Sequence, residues 1–240
     1  YRNSIWHRVG YVNWGYEAIG RFDSWEQIAN YPVDNDRKGN RTVVPGDIMY
    51  KDQNNDGVIN YLDERPIGYR VDSTPTLNFG INLSASWKGF DLAMDWTGSG
   101  MTSWNQCYET ARPFQNDGNS PDEVLKDAWH LSDIWDANSP LIPGKYPMVR
   151  LNTDETSAYD KSSYWLHNVT YLKLRNLEVG YTFPKTWLNR TGISNLRLFV
   201  SGTNLLTLSN LSVMDPECAS DNGLDYPPMR VINIGVNLKF

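Results

Sequence analysis

From residue 77 onward, apolar side chains fall on every second position. Leu77, Phe79, Ile81, Leu83, Ala85 and Trp87 form one row, and Asn78, Gly80, Asn82, Ser84 and Ser86 form the other. Lys88-Gly89 reverses the chain, after which Phe90, Leu92, Met94 and Trp96 alternate with Asp91, Ala93, Asp95 and Thr97. A strict period of two places the two rows on opposite faces of a strand. A two-residue connector ending in glycine reads as a tight hairpin, because glycine reaches positive φ without a Cβ clash. Three later stretches have the same character. In 171–183, Leu172 and Leu174 are out of phase with Leu177, Val179, Tyr181 and Phe183, and a bulge near Arg175-Asn176 repairs the phase. In 195–206, Leu196, Leu198 and Val200 oppose Arg197, Ser201 and Thr203. In 229–240, Ile232, Ile234, Val236, Leu238 and Phe240 oppose Asn233, Gly235, Asn237 and Lys239.

The expected fold class is therefore all-β and antiparallel, with short helices only. One helix is expected from Ser24, which caps Trp25-Glu26-Gln27, to about Asn30, where Pro32 stops it. Another is expected from Pro121 to about Trp129, with Ser120 as its cap. Residues 34–42 are polar and read as a loop. The domain expectation is 1–76 as a loop region with partial strands, and 77–240 as the strands with long loops at 98–166 and 207–227.

Alternation does not say whether the apolar row meets a protein core or lipid. The strands run about 11–13 residues, longer than the usual five or six of soluble sheets and long enough to cross a bilayer at a tilt. Connectors are short at one end and long at the other, as in transmembrane barrels with short periplasmic turns and long extracellular loops. Aromatics gather near strand ends (Trp87, Phe90, Trp96, Tyr171, Tyr181, Phe183), as interfacial girdles do. These features favour a piece of barrel wall with a polar lumen face of Asn78, Asn82, Ser84, Asp91, Asp95, Arg197, Asn233 and Asn237. By parity, Lys88-Gly89 is periplasmic, and 98–166 and everything just before strand 77 are extracellular. The alternative is a soluble, calcium-dependent carbohydrate-binding β-sandwich module.

The stretch 52–63, DQNNDGVINYLD, has the spacing of a calcium loop of EF-hand type. Asp52, Asn54, Asp56, Asn60 and Asp63 occupy positions 1, 3, 5, 9 and 12, Gly57 sits at the sharp turn, and Val58 offers a backbone carbonyl at position 7. Calcium, a hard cation, needs six to eight oxygens at roughly 2.3–2.6 Å. Two departures matter. Position 12 is Asp63, shorter than the usual Glu, and the flanks are not helical: Gly46 to Lys51 is strand-like, and Pro66 breaks any following helix. The expectation is a structural calcium site outside the cell, pinning the segment before strand 77, and not a sensor.

Other classes find little support. The chain has 22 Lys+Arg against 28 Asp+Glu and no basic run, which argues against a nucleic-acid partner. No run of 18 or more apolar residues predicts a transmembrane helix. His7, His130 and His167 have no ligand spacing. Asp91 and Asp95 stand on one strand face about 13–14 Å apart, too far for a direct glycosidase carboxylate pair. No enzyme is expected. Cys107 and Cys218 both fall in long loops, where one bridge between them is an open alternative to free thiols. The chain begins at Tyr1 and not at Met, and is read as part of a longer protein.

The residues resemble a known family. Pro45 through Asn60 looks like a segment of SusC/RagA-type TonB-dependent outer-membrane transporters. So do Ile67-Gly68, then Pro75 through Leu83, then Lys88-Gly89-Phe90-Asp91-Leu92, Tyr171 through Pro184, Ser201 through Leu206 and the final Phe240. The resemblance implies the C-terminal strands of a transmembrane, 22-stranded barrel closed around a plug, in the outer membrane, importing glycans or peptides. It implies as partners the remainder of the same barrel and plug, a SusD-like surface lipoprotein as lid, TonB through a part absent here, and membrane lipid. A glycan or peptide ligand would meet loop aromatics, for which Trp104, Tyr108 and Trp135 are the candidates, with packing inside the loop or against the lid as the competing role.

Overall fold

The computed structural model describes residues 8, 12–69, 75–151, 155–189, 192–217, 222–223 and 225–240. The chain forms two compact units that do not follow the linear division at 76/77. One comprises Tyr1–Asp72, Ser103–Asn168 and Ala219–Leu224, and the other Ser73–Thr102, Val169–Cys218 and Asp225–Phe240. The long middle stretch thus belongs with the N-terminal residues.

The first unit contains β1 (Val12–Gly15), β2 (Ala18–Arg21), α1 (Trp25–Ala29), β3 (Ile48–Tyr50), β4 (Arg65–Tyr69), α2 (Asp122–Lys126), β7 (His130–Leu131) and β8 (Leu141–Ile142). Its sheets are two-stranded: β1 with β4, β2 with β3 and β7 with β8. Ser24 caps α1 as expected, its hydroxyl accepting from the Gln27 N–H at 3.2 Å. The Gln27 side chain reaches back one residue further, to the Asp23 N–H at 2.7 Å. α2 is shorter than its sequence suggests and ends at Lys126. The backbone past it is captured instead by a neighbouring segment: Tyr146 donates to Asp127 and Trp129 donates to Tyr146, at 2.8 and 2.9 Å. Ser120 gives no cap bond. The core is aromatic. Trp165 is buried between Tyr146, Tyr159 and Tyr164, with ring centroids 6.1, 5.5 and 4.8 Å away, and its indole N–H donates to the Ala158 carbonyl at 2.8 Å.

The second unit is built on one antiparallel sheet of five strands in the order β11-β10-β9-β6-β5. These are β5 (Leu77–Trp87), β6 (Phe90–Asn105), β9 (Leu166–Thr182), β10 (Asn195–Ser209) and β11 (Val231–Lys239), with a short helix α3 (Lys185–Leu188) before β10. β5 matches its alternation residue for residue, and its register with β6 runs unbroken from Leu77–Gly100 to Trp87–Phe90. Lys88 and Gly89 both have positive φ, +47° and +90°, the backbone of a tight hairpin turn. β6 and β9 extend beyond the expected strands, to Asn105 and back to Leu166.

Side chains sort between the faces, with the Phe199 ring as an apolar group beside Arg197 on the polar side. Leu77, Phe79, Ile81 and Leu83 on β5, and Ile232, Ile234, Val236 and Leu238 on β11, are all exposed, Ile81 at 43% and Ile234 at 83%. The opposite face carries Asn78 across from Ser99, Asn82 across from Asp95, and Arg197 across from Asn237. At the hairpin end, Phe90, Tyr181, Phe183 and Trp187 form a chain of ring contacts at 4.6, 5.0 and 5.9 Å. No helix among the described residues is long and apolar enough to cross a membrane.

The expected bulge is present and involves both strands. Arg175 bonds the Thr97 hydroxyl at 2.8 Å, and Asn176, its immediate neighbour, bonds Asp95 at 3.1 Å. Thr97 and Asp95 share a face of β6, so two consecutive residues of β9 point to one side. Opposite them β10 carries an irregularity between Thr203 and Leu206, with Asn204 at φ +53°.

A Cβ on Gly89 would stand 2.7 Å from the Thr182 carbonyl at a φ that side chains avoid, whereas one on Gly80 meets nothing nearer than 3.6 Å. In the full-length protein Gly89→Ala is expected to lose about 1–3 kcal/mol and to lower the temperature at which the compact band disappears on unheated gels. Gly80→Ala should leave that temperature unchanged.

Candidate functional site

Two arrangements carry chemistry, one in each unit. In the first, the stretch 52–63 closes into a loop whose carboxylates face one another: oxygen atoms of Asp52, Asp56 and Asp63 lie within 4.8 Å of each other. The local folding follows from side chains bonding backbone. Asp52 accepts from the Asn55 and Gly57 N–H groups at 2.6 and 2.8 Å, Asp56 from Val58 at 2.9 Å, and Asp63 from Gln53 and Asn60, both at 2.8 Å. Gly57 has φ +83°. Ile59, at position 8, is fully buried in the aromatic core, and the wholly buried Asp63 anchors the other end.

The remaining predicted ligands converge on the same point. The Asn60 amide nitrogen bridges the Asp56 carboxylate and the Val58 carbonyl at 3.2 and 3.1 Å, and the Asn54 amide nitrogen meets Asp56 at 2.8 Å. The oxygens of the same two amides accept from the Asp56 and Leu62 N–H groups at 3.1 and 2.9 Å, which sets the orientation of both side chains. The carboxylates of Asp52, Asp56 and Asp63 fit a hard divalent cation in donor type and in convergence, and Asn54, Asn60 and the Val58 carbonyl stand beside them.

The polar stretch 34–42 packs beside this loop. Asp34 donates to the Gly57 carbonyl and accepts from the Ile59 N–H, at 2.8 and 3.0 Å. Asn35, fully buried, donates to the Ile48 carbonyl and accepts from the Tyr50 N–H, both at 3.0 Å. Asp36 accepts four hydrogen bonds, from the N–H groups of Lys38, Asn40 and Thr42 and from the Thr42 hydroxyl, at 2.7–2.8 Å. Burial alone would raise its pKa, but these bonds outweigh it and hold the carboxyl at about 2. Asp47 shows the reverse balance. Burial pushes it up to about 6, against the pull of Arg150 and of the Val44 N–H. Its contribution is complete below the ordinary carboxylate value and is lost as pH rises through about 6.

The second arrangement is a ladder of ion pairs on the polar face of the sheet. Arg197 on β10 bonds both carboxylate oxygens of Asp91 on β6, and also Glu178 on β9 at 2.6 Å. Further along, the Lys173 ammonium meets Asp215 and Glu217 at 2.8 Å, and Arg175 bonds Glu217 as well. Asp91, Asp95 and Arg197 stand on the face expected of them. Glu178, Lys173, Arg175, Asp215 and Glu217 were not singled out by the sequence. The only local signal was the broken alternation at Arg175-Asn176.

The three candidate aromatics are not alike. Trp104 is only 4% exposed and stacked on His167 at 5.6 Å, so its ring faces are used in packing. Tyr108 is half-exposed in a single 3-10 turn. Trp135 is 90% exposed at the tip of the β7–β8 hairpin, where Asp133 accepts its N–H at 2.9 Å. The 98–166 stretch thus gives most of its aromatics to a core. The pairing of Cys107 with Cys218 lies outside the described residues.

No family model matches the chain. Curated relatives do. TonB-dependent receptor P3 of Formosa agariphila is 30% identical over 242 residues, covering 93% of this chain and 22% of the relative. TonB-dependent receptor SusC of Bacteroides thetaiotaomicron is 24% identical over 252 residues, covering 98% and 20%. The chain spans about a fifth of the length of these relatives. Among solved structures, that of the RagAB peptide transporter superposes with a TM-score of 0.60 at 21% identity, covering 95% of this chain and 22% of that one. The structural likeness identifies the fold: the five-stranded sheet is a stretch of antiparallel barrel wall, open at β5 and β11 among the described residues.

Because the folded-state value of Asp36 lies below 3.8, its stabilising effect is full above that pH and is lost as pH falls through about 2. The melting midpoint of Asp36→Asn should therefore lie below that of the parent at pH 5, with the gap closing as pH falls toward 2. A gap that stays constant from pH 5 to 2 would refute this account of the loop.

Proposed function

We propose, taking as premise that this chain is a stretch of a TonB-dependent receptor of the SusC/RagA type, that it forms part of the wall and outer surface of an outer-membrane importer of glycans or peptides. The observation that carries the reading is the two-faced sheet. One face is a continuous exposed apolar surface suited to lipid, and the other is a polar ladder suited to a water-filled lumen. An open sheet cannot stand in lipid with unpaired edges, so the edges at β5 and β11 pair with strands from the rest of the same receptor, which also supplies the plug. Energy from TonB enters through those other parts. A SusD-like surface lipoprotein closes the outer side, and the exposed rings of Tyr108 and Trp135 face the ligand or that lid. The soluble sandwich reading requires a second sheet over the apolar faces of β5 and β11, and nothing in the described residues favours it.

Calcium belongs to the same proposal, as a structural ion. Asp52, Asp56 and Asp63 supply carboxylates, Asn54 and Asn60 amide oxygens and Val58 its carbonyl. With Ile59 in the core and Asp34 zipped to the loop backbone, such an ion fixes the segment before β5, and millimolar calcium outside a cell keeps even a modest site filled.

The full-length protein should sediment with outer membranes, require detergent for extraction and migrate faster on gels when unheated. Release into buffer without detergent would sink the importer reading. Separately, chelation should increase protease cleavage within 45–66 and added calcium should reverse it, whereas Asp56→Ala should be cleaved equally with or without calcium. Cleavage in the parent that ignores chelator would overturn the metal assignment alone.

A further inference from the structure

The chain does not simply leave the sheet at the end of β10. Ser209 still pairs with Tyr171, and Asn210 stays tied to β9, its N–H donating to the Thr170 carbonyl at 3.3 Å and its side-chain amide oxygen accepting from the Thr170 N–H at 2.9 Å. The chain then turns back. Asp215 and Glu217 place their carboxylates on Lys173 and Arg175, three and five positions further along β9 from Thr170. At the rise of a strand, that return covers about 10–17 Å.

The side on which it returns is fixed by the side chains. Arg175 also bonds Thr97, and its neighbour Asn176 bonds Asp95, both on the polar face of β6. Residues 210–217 therefore run back over the polar face and not over the apolar one. They are held firmly. The Lys173 side chain is 1% exposed, and its ammonium makes three contacts of 2.8 Å to two carboxylates. Glu217 is further fixed by its own N–H, which donates to Asp215 at 2.9 Å. Withdrawing the segment would break all three of these contacts of the Lys173 ammonium and the bond of Arg175 to Glu217 together.

We infer that residues 210–217 are a re-entrant strap, anchored by Lys173 and Arg175 inside the passage, which narrows it beside β6 and β9 and limits the bulk of what can pass along this wall. The inference rests on the importer reading, since only then is the polar face a lumen. The strap is a fixed element of the passage and not a moving lid: the ion pairs that hold it are saturated within the sheet and need no ligand to form. Because its acidic groups are already engaged by Lys173 and Arg175, it acts through size more than through charge.

The test uses the full-length receptor in intact cells, with its other cysteines replaced by serine and Ser201→Cys added. Ser201 pairs with Glu178 on the polar face, beyond the strap from the outer end. Labelling rates are measured with N-ethylmaleimide and with a graded series of polyethylene-glycol maleimides. With the strap in place the small probe should react and the larger ones should be slowed at least tenfold. In the strap-release variant Asp215→Asn/Glu217→Gln the size cut-off should move upward, with the small-probe rate within about twofold of the parent. Glu217→Asp, which keeps the charge, should behave like the parent and guards against a general folding defect. An identical cut-off in parent and release variant overturns the strap and leaves the importer reading standing. Reaction of residue 201 with a membrane-partitioned maleimide in preference to the aqueous N-ethylmaleimide overturns the lumen assignment and the strap together.

Discussion

Arg197 makes the two faces of the sheet unequal in a way that pattern alone does not enforce. Its guanidinium comes from β10, but its partners Asp91 and Glu178 come from β6 and β9. One planar group with several donors thus fixes three strands in register. A slip by one residue in any of them would carry a charge to the apolar side and an apolar residue to the polar side. Once Arg197, Asp91 and Glu178 share a face, the alternation of β5, β6, β10 and β11 leaves Leu, Ile, Val, Met, Ala, Phe and Trp side chains, with glycines, for the other. The aromatic chain from Phe90 to Trp187 then marks the end of the sheet nearest the hairpin. Strand register and the division into an apolar and a polar face are consequences of the same set of charges.

The first unit solves a different problem, that of ordering long polar loops with little apolar residue to spare. It does so twice with carboxylates. Asp36 gathers backbone N–H groups and needs nothing further, so its loop is complete as a polypeptide. Asp52, Asp56 and Asp63 also gather N–H groups, and their oxygens lie within 4.8 Å of one another. The two loops are joined at Asp34, Gly57 and Ile59. One carboxylate-ordered loop therefore buttresses the other.

Much of this was legible in the sequence, for identifiable reasons. β5 could be read to the residue because one face alternates strictly and a glycine turn ends it. The upper part of β6 could not, because Ser99, Thr102 and Ser103 are small, polar and buried, a composition that resembles a loop. Ile59 announced its burial through its place in the metal-loop spacing. Asn35 and Asp36 gave no such notice, since side chain to backbone bonds leave no period. Asp215 and Glu217 were invisible for a related reason: their partners lie some forty residues earlier. The helix from Pro121 was overestimated because a backbone pairing with Tyr146, remote in sequence, claimed its last turn.

The doubled residue at Arg175-Asn176 has a consequence for how such a strand can change. Below it the even-numbered residues of β9 face the lumen, and above it the odd-numbered ones do, so the strand carries a shift of frame in its middle. Removing either Arg175 or Asn176 would restore strict alternation and leave Tyr171 and Lys173 facing as they do, whereas removing both would set Leu174 beside Leu177 on the apolar side. A single deletion elsewhere in the strand would turn one part of it over. This is therefore the point at which β9 can change length by one residue without reversing its faces, provided its pairing with β10, irregular between Thr203 and Leu206, adjusts with it.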